Sequence, residues 1–173
     1  MDVASASITA GVALVGVLLG GWLSIRNQER LWQRDHARQW RDIRLSTYRD
    51  FVAAYRQYVA FALEPTANIS AIPHPERQGD STPFFDHAGR PYKERLDGAA
   101  TAVRLVSESF DTLHAAREVV RAARQIAAAR ATHSETAIPQ DVFQRLWTAQ
   151  HSFLLAVRKE LGLVFMPVGT DDA

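Results

Sequence analysis

The residues best equipped for chemistry in this chain are six histidines, scattered carboxylates and a regular row of arginines. Asp111, His114 and Glu118 stand at i, i+3 and i+7, which puts them on one face of a helix. A carboxylate metal site in a helical bundle takes two Glu-x-x-His motifs plus acids from facing helices. Only one approximate copy is present, and nothing in the spacing of Glu108 and His151 makes them converge on it. The three residues are expected to form a solvated polar face, with no metal. The chain has no Cys, which excludes thiol catalysis and thiolate metal sites. No Gly-rich phosphate loop, zinc-protease helix motif or nucleophile elbow occurs. The expectation is a non-enzymatic protein with no catalytic residue and no cofactor.

Arg26, Arg30, Arg34 and Arg38 recur every four residues, a slowly drifting stripe on one helix. Such a juxtamembrane row is drawn to anionic headgroups by about 1 kcal/mol per basic residue near the surface. Reach limits the effect. On an upright helix Arg34 stands about 12 Å beyond Arg26, further than a Debye length of about 8 Å. Arg26 and Arg30 therefore feel lipid most, while Glu29, Asp35 and Asp42 interleave with the row as ion-pairing partners.

These arginines follow an uncharged run from Val3 to Ile25. As a helix, the run spans roughly 34 Å, enough for a hydrocarbon core of about 30 Å. No positive segment precedes it and no small-x-small cleavage site follows, so a membrane helix over residues 1–25 is expected in preference to a signal peptide. Its glycines would be costly in a soluble core helix. Gly16 and Gly20 form a GxxxG pair where two membrane helices could pack closely. Six arginines fall between Arg26 and Arg44, so the positive-inside rule places the N-terminus outside and the C-terminus in the cytoplasm.

Residues 26–173 read as a cytoplasmic helical bundle. The expected class is all-α, a single membrane helix continuing into an antiparallel bundle of about three long helices. Residues 26–63 contain no Gly or Pro, and the first stop signal is Glu64-Pro65. Residues 64–91 hold five prolines and read as a long loop onto which Phe84 and Phe85 could fold. One continuous helix is expected from Pro91 to about Ala131, because its three-and-four spacing survives Ser107-Glu108-Ser109. A third begins near Pro139, carries Phe143, Leu146, Trp147, Phe153, Leu154, Val157 and Leu161 on a broad face, and stops at Gly162. In that arrangement the third helix covers only half of the hairpin made by the first two. The leftover aromatic surface of Phe51, Tyr55, Tyr58 and Phe61 then calls for loop coverage or a partner. Self-association is the simplest form of partner.

The combination of a short uncharged span, Trp40-Arg41 with Arg44 and Tyr48, and a closing Arg158-Lys159-Glu160-Leu161-Gly162 resembles a loose set of small actinobacterial membrane-anchored helical proteins. The resemblance implies a membrane location and no particular activity. The expected function is self-association or partner docking by the cytoplasmic bundle of a single-pass inner-membrane protein. The alternative is a membrane-tethered regulatory or stress-response component whose 64–91 loop senses a ligand. Membrane lipids, a second copy or another protein are the expected partners.

The 173 residues carry 20 basic against 19 acidic side chains, which gives no global charge for nucleic-acid binding. The neutral sum hides placement, since residues 26–63 hold eight Arg against four acids.

Overall fold

The computed structural model describes residues 36, 38–73, 81–133 and 137–163. The chain divides into two units, residues 1–42 and 43–173. In the first, residues 36 and 38–42 are helical, and Trp40 Nε1 donates to His36 Nε2 at 2.9 Å, one turn away. The expected membrane helix at 1–25, its Gly16 and Gly20, and Arg26, Arg30 and Arg34 lie outside the described residues. Among the described residues no helix is long and apolar enough to cross a membrane.

The second unit is mostly helical. Its elements are α1 (43–62), β1 (Ile69–Pro73), β2 (Ser81–Phe85), α2 (Arg90–Val106), α3 (Phe110–Thr132) and α4 (Gln140–Glu160). α1 ends as the Glu64-Pro65 signal requires, in a turn closed by the Glu64 N–H donating to the Phe61 carbonyl at 3.0 Å. Gly162 ends α4 with φ +65°, and the Leu163 N–H donates back to the Arg158 carbonyl at 2.9 Å. That left-handed residue and long return bond form the helix stop expected at this glycine.

Two expectations are corrected. The 64–91 segment is not a loop throughout, because β1 and β2 pair antiparallel from Ile69 opposite Phe85 to Pro73 opposite Ser81. Its prolines are tolerated because both strands of a two-stranded sheet are edges, where a missing N–H need not break a ladder. The continuous helix from Pro91 to Ala131 is two helices. Ser107 leaves α2 in an extended conformation, and Ser109 caps α3 by accepting the Thr112 N–H at 3.3 Å. A serine side chain that competes for local backbone groups ends one helix and starts the next.

The extra turn changes the packing. Arg44 Nε donates to the Val106 carbonyl at 3.0 Å, which sets the end of α2 beside the start of α1. At the other end the Phe61 and Tyr92 rings stack at 4.7 Å, and Arg130 reaches the Pro65 carbonyl at 3.4 Å. α1 through α4 therefore run alternately up and down, with the hairpin packed on α3. α4 does not leave a bare two-helix hairpin beyond it. α3 carries nine buried residues, six of them alanines, so its neighbours approach closely.

Phe51, Tyr55, Tyr58 and Phe61 are not a partner surface. All four are buried within this unit. Phe153 of α4 meets Phe51 at 5.0 Å, and Phe85 of the hairpin meets Tyr58 at 5.2 Å and Phe61 at 6.0 Å. Of the two coverings expected, the chain supplies its own. Phe85 folds inward while Phe84 stays exposed, as alternation along a strand dictates. The face of α4 is narrower than its sequence implies, since Trp147 and Leu154 are exposed.

Gly89, just before α2, is held by Asp86, whose Oδ1 accepts its N–H at 3.1 Å. A Cβ built there would lie 2.6 Å from both Phe61 Cε1 and Phe85 Cδ1, and 2.8 Å from Phe85 Cβ. Gly89→Ala must displace the hairpin as well as a ring, and overpacking of this kind is expected to cost about 1–2 kcal/mol. Urea unfolding of the variant checks it, and an unchanged midpoint would refute the close approach.

Candidate functional site

The densest polar cluster lies where α1 begins, α2 meets α3, and α4 ends. Glu160 is its centre. Its carboxylate accepts from the Tyr48 hydroxyl at 2.9 Å, from Ser107 Oγ at 2.9 and 3.1 Å, and from the Glu108 backbone N–H at 3.0 Å. Arg44 is bridged to the Glu108 carboxylate while its Nε holds the Val106 carbonyl. The extended backbone at Ser107 makes this possible, because it turns an N–H and a hydroxyl toward α4 that a continuous helix would spend on itself.

Burial pushes the Glu160 carboxyl up, yet the hydroxyls of Thr112 and Tyr48, the Glu108 N–H and Ser107 together outweigh it and hold it below the usual carboxylate range. The Thr112 hydroxyl is fully buried and faces the carboxyl without reaching hydrogen-bond geometry. Tyr48 is pushed up to about 12, chiefly by burial, with Glu160 adding to the rise and Ser107 and Arg44 opposing it. The cluster thus holds an ionised carboxylate ringed by neutral donors. A carboxylate this well solvated is a poor base, and no histidine stands beside Ser107 in the hydrogen bonds it makes. Its chemistry is to clamp three elements together.

The sequence-predicted polar face does not assemble a site. Asp111 pairs with Lys159 at 3.0 Å, Glu118 with Arg121 at 4.0 Å, and the His114 ring lies 6.3 Å from that of Phe110. Among the described residues no three His, Asp or Glu side chains are grouped to hold a metal. Glu108 and His151 go to different places, Glu108 to Arg44 and His151 to an exposed position on α4. The Glu160 clamp was missed by spacing. Its one sequence signal was the polar triplet Ser107-Glu108-Ser109, set in a stripe whose apolar spacing continues unbroken.

Beside the clamp an open groove runs between α3 and α4. One stretch encloses about 770 Å³ and is lined by Phe110, His114, Leu155, Ala156, Lys159 and Leu163. Phe110 is 78% exposed at its mouth, an unusual position for a phenylalanine in a packed bundle. Comparison with family models, with curated proteins and with solved structures finds no match.

Proposed function

We propose that the chain is a single-pass inner-membrane protein whose helical bundle self-associates on the cytoplasmic side. The observation that carries the membrane part is the uncharged run Val3–Ile25 followed by six arginines within twenty residues. The resemblance to membrane-anchored helical proteins points the same way. The docking part draws support from the α3/α4 groove, where Phe110 and Leu163 expose apolar surface beside Lys159 and Asp111. An apolar anchor with both charge signs at its rim suits a self-complementary contact, in which each copy meets the same patch on the other.

Two measurements test this. A reporter active only in the periplasm, fused after Ala173, should be silent, and activity there would overturn the topology. Crosslinking of the intact protein in detergent should give a dimer or larger species, which Phe110→Glu should abolish while helicity by circular dichroism stays unchanged. A strict monomer would overturn the self-association.

A further inference from the structure

On an adjoining face of α3 a more enclosed cleft of about 440 Å³ separates it from α2 and the start of β2. Four arginines line it. Arg117, Arg121 and Arg124 lie at i, i+4 and i+7 on α3, a single face, and Arg104 stands across from them on α2. Like charges at this spacing destabilise a helix unless something neutralises them. The described lining contributes one acid, Asp97, and both of its oxygens are engaged, Oδ1 with Arg124 at 2.8 Å and Oδ2 with Lys93 at 3.2 Å. Arg121 reaches Glu118 at 4.0 Å. Among the described residues no acidic side chain pairs with Arg104 or Arg117.

The remaining lining suits an organic anion. The Ser81 and Thr82 side chains close one edge with hydroxyls, while Val103, Leu113 and Val120 form an apolar floor. A cleft of this volume is in the range of small-molecule pockets, about 300–1,000 Å³. Guanidinium forks match the paired oxygens of a phosphate, and Arg is the residue favoured for that recognition.

We propose that the α2/α3 cleft binds a phosphate-bearing ligand, with Arg104 and Arg117 as its principal contacts and the apolar floor receiving the body of the molecule. The proposal rests on neither the self-association nor the membrane reading.

Titration calorimetry on the full chain in non-ionic detergent tests it, with phenyl phosphate and pyrophosphate as soluble probes and phosphatidic acid in mixed micelles of the same detergent as a lipid-headgroup probe. Wild type should bind at least one probe, and Arg104→Gln with Arg117→Gln should weaken that binding roughly ten- to a hundredfold. Both positions are exposed, so the double variant should fold, and circular dichroism verifies this. Arg49→Gln with Arg145→Gln, on α1 and α4 and outside the cleft, removes the same two charges and should leave binding unchanged. Binding to phenyl phosphate or pyrophosphate that needs Arg104 and Arg117 supports a soluble ligand. Binding to phosphatidic acid alone that needs the same pair supports a lipid headgroup as the source of the phosphate. No binding to any probe, or equal loss in the Arg49 and Arg145 control, overturns the proposal.

Discussion

Phe153→Ala should destabilise the second unit by about 3–5 kcal/mol, the range for truncating a fully buried phenylalanine. Phe153 has no exposed surface, and its ring sits edge-on to both Phe51, at 5.0 Å, and Tyr48, at 6.0 Å. Together with the Tyr48–Glu160 hydrogen bond it closes α4 over α1. Removing it takes away the transfer energy of the ring and two aromatic contacts, and leaves a void that α1 and α4 can collapse into only by moving together. A small domain holds about 5–15 kcal/mol in total, so the variant should unfold at much lower urea or populate the unfolded state outright. Chemical denaturation followed by circular dichroism reads this. A loss under about 1 kcal/mol would mean that α4 does not close the core as described. Leu154→Ala, one residue along but exposed, should change little and serves as the comparison.

Glu160→Ala should cost about 2–3 kcal/mol at neutral pH, because hydrogen bonds to a charged group are worth more than neutral ones and three donors lose one acceptor together. The Tyr48 hydroxyl, Ser107 Oγ and the Glu108 N–H would each need a new partner, and the Thr112 hydroxyl beside them has none of its own. The same residue gives a pH signature. The folded carboxyl titrates below its ordinary value of 4.5, so the folded state binds fewer protons than the unfolded state in that range. Its contribution is therefore complete above about pH 4.5 and is lost as the pH falls through the lowered folded value. Glu160→Gln should flatten the acid limb of the stability curve while leaving the limb above pH 6 parallel to that of wild type. Parallel curves throughout would show that Glu160 titrates alike folded and unfolded.

Helix periodicity was the most legible property. The stop after α1 and the glycine end of α4 both follow from single residues with one local effect, Pro65 and Gly162. The break at Ser107 was not legible, because the apolar spacing continues through it. Phe110 keeps the stripe in step on paper and yet faces solvent as the first residue of α3. The hairpin was hidden for another reason. Pro73 and Pro83 argue against strands on local grounds, and only pairing between segments eight residues apart overrides them. The Glu160 clamp joins residues separated by 112 and 53 positions, a distance at which spacing carries no information. The aromatic row of α1 read as surplus surface for a related reason. A continuous helix over 91–131 would leave much of it bare, whereas the turn at the serines lets Phe153 of α4 and Phe85 of the hairpin close over it.

The even number of helices also decides how the unit would carry load. Because α1 starts and α4 finishes at one end, held there by Tyr48 and Glu160, a pull applied between residues 43 and 161 acts across that pair instead of along the helix axes. The contacts would open one after another, as a zipper does, beginning at the Glu160 clamp. The hairpin and the Phe61–Tyr92 stack at the far end would feel the force last.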